Sequence, residues 1–378
     1  MLRTIVDIHV IQTVPPSNIN RDDTGSPKTA VYGGQRRARV SSQAWKRATR
    51  DAFKTLLDTT ELGVRSKQVV ELVSDSIIDQ QPALADRATD LAVAVLAAGG
   101  IKTSPPRKAD ALPEAGYLIF LSRSQISNLA ELAVHAAKAA GDDAPQFNKK
   151  EVTARAKREH SVDIALFGRM VAEITDLNVD AAAQVAHALS VHAVSNEYDY
   201  FTAVDDHKDA DAEEDAGAGM IGTVEFNSST LYRYATVDVD RLQDNLGDAE
   251  ATRRAVEAFV RAFVSSMPTG KQNTFANRTL PDAVLVVARE SQSINLVGAF
   301  EEAVTDQDHG GRISVSIQRL AEHARELHEA FDEHPVEAWS FGPGQRIAPL
   351  AEIGTRSTFD TTVTALGALV SQRLAAQQ

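Results

Sequence analysis

The sequence predicts an α+β fold in which a small sheet and its helices are interrupted by a large helical insertion. Residues 4–13 alternate apolar and polar side chains, as a strand with one buried face does. Residues 283–288 form an uninterrupted apolar run, which is typical of a central strand. Residues 59–188 follow a mostly helical period. A chain of 378 residues is expected to form two or three domains, or one domain with large insertions.

The first strand is followed by a loop and then by a helix. Residues 14–38 are rich in Pro, Asn, Asp and Gly and predict a long ordered loop. The helix predicted over residues 42–57 has an apolar side and a basic side. These sides consist of Trp45, Ala48, Ala52 and Leu56, and of Lys46, Arg50 and Lys54.

The second half of the chain predicts a β-hairpin followed by a helix and a strand. The hairpin has strands at 223–226 and 230–239 and a turn at 227–229. An amphipathic helix spans 251–266, and the apolar strand at 283–288 follows it. With the insertion set aside, the order is β, α, β, β, α, β. This is the ferredoxin-like order, which the RRM class of RNA-binding domains shares.

The insertion and the end of the chain predict further helices. They are placed at 66–80, 84–98, 124–140, 149–160, 313–331 and 358–375, with a short strand at 117–121. Residues 205–219 hold seven acids and are mostly Ala or Gly otherwise. Because this segment cannot bury a core, we expect it to be mobile.

The composition excludes several classes of protein. The absence of cysteine excludes disulfide scaffolds, cysteine nucleophiles and thiolate metal sites, and it fits a reducing cytoplasm. No apolar run reaches the roughly 18 residues of a membrane helix, and Asp7 and His9 interrupt what would be a signal peptide. His187 and His192 are five residues apart and are interpreted as packing or hydrogen-bonding residues. We therefore expect a cytoplasmic protein without membrane contact, metal or cofactor.

Charge is distributed unevenly along the chain. The formal net charge of −13 comes from 39 basic and 52 acidic residues and by itself argues against nucleic-acid binding. Residues 28–50 nevertheless contain seven basic residues and no acidic one. The seven are Lys28, Arg36, Arg37, Arg39, Lys46, Arg47 and Arg50. This segregation predicts a localised anion site on an otherwise acidic protein.

The start of the helix within this basic window favours a bound phosphate. Ser41 and Ser42 are N-cap residue types, and the first acid is Asp51. The positive end of the helix therefore lacks an internal anion. Gln43 and the serine hydroxyls add neutral donors, and Gly33–Gly34 would let the backbone approach a ligand. The alternative is a solvated basic face whose amides are capped by water.

Two other segments are candidate interaction surfaces. A second basic cluster is either a solvated helix face or a nucleic-acid contact. It consists of Lys149, Lys150, Arg155, Lys157 and Arg158. Residues 198–206 place three aromatic side chains beside the acidic segment. Tyr200, Phe201 and Val204 are then either exposed apolar residues of an interaction surface or the packing of a hairpin stem.

Six motifs together resemble one known family. They are residues 20–23 (NRDD), 33–50 (GGQRRARVSSQAWKRATR), 162–170 (VDIALFGRM), 201–206 (FTAVDD), 222–226 (GTVEF) and 231–234 (LYRY). These motifs resemble those of the CasC family, the CRISPR RNA-binding backbone subunits of Cascade, which is the type I-E CRISPR surveillance complex. The resemblance covers most of the chain, in order and with plausible spacing.

The resemblance implies a protein shaped like a right hand. It places a modified RRM palm at 1–58 and 223–378, helical fingers at 59–188 and a protruding thumb at 189–222. It implies that copies stack along one CRISPR RNA into a helical filament, in which the thumb of one copy kinks the RNA held by its neighbour. The guide would then pair with target DNA in short segments. Other Cascade subunits are the further partners that it implies, and it implies no catalysis by this chain.

The same resemblance implies roles for particular residues. The contacts to the RNA backbone fall on Arg21, Lys28, Ser41, Ser42, Gln43, Lys46, Arg47 and Arg50. The side chains that would wedge against a displaced nucleotide are Met170, Phe201, Val204 and Ile221, with Tyr200 at a further aromatic position. Lys149 and Lys150 of the second basic cluster are possible DNA contacts.

Two other functions stay open at this point. A metal-dependent ribonuclease could use aspartates as oxygen ligands for Mg²⁺. The candidates are Asp22, Asp23, Asp163, Asp199, Asp205 and Asp206. Against it, Asp22 and Asp23 adjoin Arg21, where an ion pair is the simpler explanation. The other function is a scaffold that binds only proteins, and the acid-free helix start argues against it.

Overall fold

The computed structural model of the chain describes residues 3–105, 111–141, 143–203, 220–305 and 310–377. It is a mixed α+β protein, as predicted. The strands are β1 (Ile5–Ser17), β2 (Thr29–Tyr32), β3 (Gln35–Val40), β4 (Gly63–Ser66), β5 (Thr103–Ser104), β6 (Glu114–Ala115), β7 (Ile119–Ser122), β8 (Ala183–Val185), β9 (Ala188–Ser190), β10 (Glu197–Ala203), β11 (Met220–Asp238), β12 (Ala283–Arg289), β13 (Glu337–Phe341) and β14 (Thr355–Arg356). The α-helices are α1 (Ser42–Leu56), α2 (Val69–Gln80), α3 (Ala88–Ala98), α4 (Arg123–Ala140), α5 (Lys149–Ala156), α6 (Val162–Phe167), α7 (Val239–Leu246), α8 (Ala249–Ser265), α9 (Gln272–Phe275), α10 (Arg312–Ala330) and α11 (Phe359–Ala375).

Two further expectations from the sequence concern the acidic stretch and contact with a membrane. The acidic stretch at 205–219 that was predicted to be mobile lies outside the described residues. Within the described ranges, no helix is both long and apolar enough to cross a membrane.

The chain divides into two compact units. The first comprises Met1–Ala52, Val185–Thr236 and Phe259–Gln377, and the second comprises Phe53–Gln184 and Val237–Ala258. The first unit is built on a large sheet, and the second is mostly helical.

The sheet of the first unit has β1 near its centre. Its main path runs β14, β13, β12, β1, β11, β9, β3 and β2. β1 and β12 are antiparallel, from Ile5 opposite Arg289 to Ile11 opposite Ala283. On the other side of β1, β11 pairs antiparallel with β9, where Leu231 lies opposite Ser190. The four central strands therefore follow the order β12, β1, β11, β9.

Helix α10 covers one face of these strands. Ile317 and Leu320 of α10 share a buried cluster with Leu285 of β12 and with Tyr232 and Tyr234 of β11. Side chains of a strand alternate between faces, so Arg233 points to the opposite face of the sheet.

On that opposite face, α1 and α8 enclose a buried cation. The guanidinium carbon of Arg233 lies 3.7 Å from the ring centroid of Trp45 and 4.6 Å from that of Phe263. The guanidinium donates to Oε1 of Gln12 and to the backbone oxygen of Phe263. Burial lowers the pKa of Arg233 to about 9. Both faces of the sheet are thus covered by the chain's own helices.

The predicted hairpin at 223–239 is wrong, because β11 is one continuous strand of 19 residues. Its first part pairs with β10, and its later part pairs with β9. The polar residues that suggested a turn are buried and bonded within the fold. Asn227 donates to Oδ1 of Asn196 at 3.3 Å, and the amide of Thr230 donates to Nε2 of His192 at 3.1 Å. In chain order the four central strands are therefore β1, β9, β11 and β12.

The predicted loop at 14–38 contains two strands. β2 and β3 pair so that Tyr32 lies opposite Gln35. Gly33 and Gly34 form the two-residue turn between them with φ of +56° and +72°, as a hairpin turn of the mirror-image type requires. A Cβ on Gly33 would lie 1.7 Å from the backbone oxygen of Glu301. Gly33 therefore has a role in the fold, whereas the approach of this backbone to a ligand stays a prediction.

The second unit has its own core. Helices α2, α3 and α4 contribute Val73, Val95 and Leu129 to one buried cluster. The predicted strand at 117–121 is β7, which pairs with β4. The helix predicted over 149–160 ends at Ala156.

Candidate nucleic-acid interface

The first turn of α1 contains no acidic residue, as the sequence indicates. Ser41 is the N-cap, since its Oγ accepts a hydrogen bond from the amide of Ala44 at 3.3 Å. Ser42 is the first helical residue rather than part of the cap. The first amides of a helix have no intrahelical acceptor, and this end carries a partial positive charge. The start of α1 can therefore receive an anion.

The buried side of α1 differs from the predicted apolar stripe. Trp45 is fully buried as predicted, but the next fully buried side chains are those of Thr49 and Phe53. The two alanines of the predicted stripe are only partly buried, and Leu56 is 41% exposed. The buried side follows a strict four-residue spacing from Trp45.

The basic side of α1 follows the same spacing. Ser42, Lys46 and Arg50 lie four residues apart, so they line up along the helix, and each is half-buried. Burial lowers the pKa of Lys46 below the ordinary value of lysine. Arg47 is exposed, with its Nε 3.9 Å from a carboxylate oxygen of Asp51. An exposed pair at this distance contributes little to stability, so Arg47 can turn to a ligand at small cost.

A hydrogen-bonded loop places two more basic residues beside this helix. Oδ1 of Asn20 accepts from the amide of Ser41 at 2.8 Å. The backbone oxygen of Asn20 accepts from the amide of Lys28 at 2.9 Å. Arg21 is exposed and Lys28 is half-buried. One asparagine thus joins the loop of residues 20–28 to the start of α1.

Arg37 of the basic window belongs to the fold instead. It is fully buried, and its guanidinium donates to the backbone oxygens of Ser190, Phe300 and Glu301 at 3.0–3.1 Å. The Arg37 guanidinium therefore makes these hydrogen bonds inside the fold.

β10 and the first part of β11 form a two-stranded ribbon that carries exposed aromatic residues. Tyr198 and Tyr200 lie on one face and are 68% and 63% exposed. Phe201 is 41% exposed and lies opposite Gly222. A Cβ on Gly222 would be 2.4 Å from Cζ of Phe201, so the ring covers this glycine. The tyrosines are thus exposed, whereas Phe201 is both exposed and packed on the stem.

The base of this ribbon is bonded to the same loop that carries Arg21 and Lys28. The carboxylate of Glu225 accepts from Oγ of Ser26 at 2.9 Å and from Nδ2 of Asn196 at 3.0 Å. The backbone oxygen of Glu225 accepts from Nδ2 of Asn18 at 2.9 Å. The loop therefore connects the start of α1 with the ribbon.

Met170 projects from the second unit. It is 87% exposed and follows Arg169, which is buried. The Arg169 guanidinium donates to the backbone oxygens of Leu177, Phe120 and Ala156 at 2.6, 3.0 and 3.1 Å. Four segments are thereby held together, and Met170 directly follows the residue that joins them.

The remaining predicted site residues lie elsewhere. Lys149 and Lys150 are exposed at the start of α5, where Oδ1 of Asn148 accepts from the amide of Lys150 at 2.9 Å. This helix also belongs to the second unit. Val204 and the side chain of Ile221 lie outside the described residues. The structure thus brings the RNA-backbone candidates, Tyr200 and Phe201 together in the first unit.

Asp22, a candidate ligand of the alternative ribonuclease, is engaged in a turn. Its Oδ1 accepts from the Thr24 hydroxyl at 2.7 Å, the Thr24 amide at 2.9 Å and the Ser26 amide at 3.0 Å. These hydrogen bonds, the one from the Thr24 hydroxyl above all, lower the pKa of Asp22. The neighbouring ion pair with Arg21 that the sequence suggested is not needed to explain Asp22.

Asp163 is engaged in the second unit. It is buried and accepts from Oγ of Ser161 at 2.7 Å and from the amide of Gly63 at 2.9 Å. Asp205 and Asp206 lie outside the described residues. In the part of the chain that the structure describes, no three His, Asp or Glu side chains are grouped to hold a metal ion.

Sequence reasoning missed one pair of residues beside this site. Nη1 of Arg39 lies 3.2 Å from Nδ1 of His187. Arg39 lies two residues after Arg37 and therefore on the same face of β3, and this placement is visible only once β3 is recognised as a strand. His187, in turn, adjoins β9, which is only three residues long.

One protein family matches the chain over most of its length. Residues 6–365 match the model of the family described as CT1975-like protein. The chain belongs to the CT1975-like family.

Two solved structures resemble this CT1975-like chain. One is named "CRISPR RNA-guided surveillance complex, pre-nicking"; it is 37% identical, with a TM-score of 0.83, over 97% of this chain and 100% of that chain. The other is named "CRISPR RNA-guided surveillance complex"; it is 33% identical, with a TM-score of 0.72, over 96% of this chain and 99% of that chain. No curated protein matches the chain. The two similarities extend over both compact units of this CT1975-like protein.

Proposed function

We propose that this chain binds CRISPR RNA as a backbone subunit of a type I-E Cascade complex and presents the guide for pairing with target DNA. The family and the two similar surveillance-complex chains support a role of this kind. The observation that carries the proposal is the start of α1. There an acid-free helix terminus meets Ser42, Lys46 and Arg50 on one side and the loop of Arg21 and Lys28 on the other.

These groups suit the phosphates of an RNA strand rather than its bases. Lysine and arginine side chains, hydroxyls and helix N-termini all contact phosphate and carry no sequence information directly. The chain then holds any guide sequence with similar affinity. The acidic remainder of the protein disfavours loose binding of nucleic acid elsewhere.

In this proposal the first unit is an RRM-like palm. The central order β12, β1, β11, β9 supports it. Single-stranded RNA usually stacks on the open sheet face of an RRM, but α10 covers one face here and α1 and α8 cover the other. The RNA therefore runs past the start of α1 and the loop of residues 20–28, at the edge of the palm.

The β10–β11 ribbon is the proposed thumb. Exposed apolar side chains on a projecting ribbon mark an interaction surface, and Phe201 and Tyr200 lie on it. In a stack of copies along one guide, these side chains and Met170 displace nucleotides at regular intervals. Lys149 and Lys150 stay available for the target DNA. The chain itself cuts no nucleic acid in this proposal.

The double variant Lys46→Glu with Arg50→Glu tests the phosphate site. Filter binding of a single-stranded RNA at two salt concentrations measures both affinity and salt slope. Each phosphate contact contributes about 0.7 to that slope. Because the variant removes two contacts, we expect the salt slope to decrease by about 1.4 and little RNA to stay bound. The variant Lys138→Glu with Arg346→Glu makes the same charge change at exposed positions that are not among the predicted site residues. Equal binding by wild type and the first variant would refute the site, and equal loss in both variants would mean that only net charge matters.

The absence of catalysis is tested separately. Purified protein is incubated with RNA and with DNA in magnesium, next to the variants Asp22→Asn and Asp23→Asn. We expect intact nucleic acid in every sample. Magnesium-dependent cleavage that either variant abolishes would favour the ribonuclease.

A further inference from the structure

Arg39, His187 and Lys28 form a positive cluster next to the proposed RNA site. Nη1 of Arg39 contacts Nδ1 of His187 at 3.2 Å, and Nε of Arg39 donates to the backbone oxygen of Thr29 at 3.2 Å. The amide of Arg39 donates to the backbone oxygen of Lys28 at 2.9 Å. Lys28 is in turn joined through Asn20 to the start of α1. The cluster is therefore continuous with the site already described.

The contact between Arg39 and His187 defines the protonation state of the histidine. A guanidinium has only donors, so Nδ1 of His187 must accept the hydrogen bond. The imidazole is then neutral and carries its proton on Nε2. His187 is exposed, which leaves its Nε2–H accessible to a ligand.

The surroundings of His187 oppose a positive charge on the ring. Partial burial, then Arg39 on β3, then Lys28 before β2 lower the pKa of His187 below the ordinary value of histidine. Among the described residues, no carboxylate contributes to this effect. Three groups that can each be cationic thus lie together, and a phosphate would bring a negative charge to them.

We propose that Lys28, Arg39 and His187 bind one phosphate of the guide RNA and that His187 takes up a proton from solvent as this phosphate binds. The inference rests on the proposed RNA-binding function. When the proton enters at Nδ1, the ring can no longer accept from Arg39. The imidazolium and the guanidinium then both donate to phosphate oxygens. No covalent bond changes, and the complex gains one proton from the buffer.

This proposal gives RNA binding a definite pH dependence. The phosphate raises the pKa of His187 in the complex, whereas its neighbours lower it in the free protein. Affinity therefore increases as the pH falls through the range between these two values. The increase is at most about tenfold per pH unit, which is the limit for one proton. Above the higher value the cluster binds through Lys28 and Arg39 alone.

The test uses the full chain and an oligouridylate RNA, since uracil does not titrate between about pH 5.5 and 8, where histidine does. Filter binding across this range compares wild type with His187→Gln. His135→Gln is the matched control, because His135 is an exposed histidine in the other compact unit. We expect affinity to increase toward low pH in wild type and His135→Gln, and a much flatter profile in His187→Gln. Selective histidine labelling in NMR should show the pKa of His187 rising when RNA binds.

The possible results separate this inference from the function on which it rests. Identical pH profiles in wild type and His187→Gln, with an unchanged pKa of His187 in the complex, would overturn the proton uptake. If Arg39→Gln also left the salt slope unchanged, the whole cluster would be excluded. Failure of wild type to bind oligouridylate at any pH would refute the proposed function itself.

Discussion

The start of α1 and the β10–β11 ribbon serve the same proposed ligand, but they are held in place by different means. α1 is anchored by fully buried side chains, including Trp45 stacked on Arg233. The ribbon is bonded at its base through Glu225, and its aromatic residues are exposed. Substitutions in the two regions should therefore show their effects in different measurements. Changes on the buried side of α1 alter the stability of the free protein, whereas changes on the ribbon alter the complex with RNA.

Trp45→Ala should produce the largest effect. Trp45 is fully buried, and its loss leaves a cavity beside the Arg233 guanidinium. Substitutions of this kind cost about 3–5 kcal/mol. Urea unfolding of RNA-free protein measures the change, and RNA binding should fall with it. Trp45→Phe keeps a ring on Arg233 and should recover part of the stability. A normal unfolding midpoint for Trp45→Ala would mean that α1 is not anchored through this residue.

Phe201→Ala should show the opposite behaviour. Because the ring is 41% exposed on a two-stranded ribbon, we expect a loss of at most about 1 kcal/mol in the free protein. A base–aromatic contact contributes about 1–3 kcal/mol, so RNA affinity in the assembled complex should fall roughly 5- to 150-fold. Tyr198→Ala is the control on the other face of the ribbon. A large drop in the melting temperature of the free protein would identify Phe201 as a core residue.

Gly222→Ala sharpens the result for Phe201. The added Cβ would lie 2.4 Å from Cζ of Phe201, so the ring must move away from its present place. RNA binding should weaken, by no more than in Phe201→Ala. In a double-variant cycle, Gly222→Ala should have almost no effect once Phe201 is alanine, since the two residues are in contact. Additive effects on RNA binding would show that the position of this ring is unimportant.

Arg47→Ala should give the smallest change. Its 3.9 Å pair with Asp51 is exposed, so the free energy of unfolding should change by less than about 0.5 kcal/mol. The salt slope of RNA binding should decrease by about 0.7 if Arg47 contacts one phosphate. An unchanged slope would remove Arg47 from the site while leaving Lys46 and Arg50 in it.

Much of the site could be predicted because its signals are local. The absence of acids between Lys28 and Asp51 and the serines at the start of the helix are visible in a short stretch of sequence. The loop of residues 20–28 was harder, because the partners of Asn20 at Lys28 and Ser41 are defined by hydrogen bonds. The pair of Arg39 and His187 depends on strands that are distant in sequence.

The errors in the predicted fold also have physical reasons. Asn227 to Ser229 are turn-forming residue types, yet buried partners keep β11 extended there. Gly33–Gly34 between two strands is a hairpin signal, but residues 14–38 are polar enough to favour a loop. Thr49 is fully buried on α1, but because its hydroxyl makes it polar, a stripe of apolar residues does not reveal it.

The pairing of β1 with β12 also bears on the synthesis of the protein. Ile5 pairs with Arg289, and Asp7 accepts a hydrogen bond from the guanidinium of that same arginine at 2.9 Å. At roughly 5–20 residues per second, a ribosome needs on the order of 15–60 s to make the chain between these partners. During that interval the apolar residues Val6, Ile8 and Val10 have no strand β12 to pair with. The nascent chain therefore carries β1 without this partner strand for most of its translation, which is the period in which a chaperone would protect it.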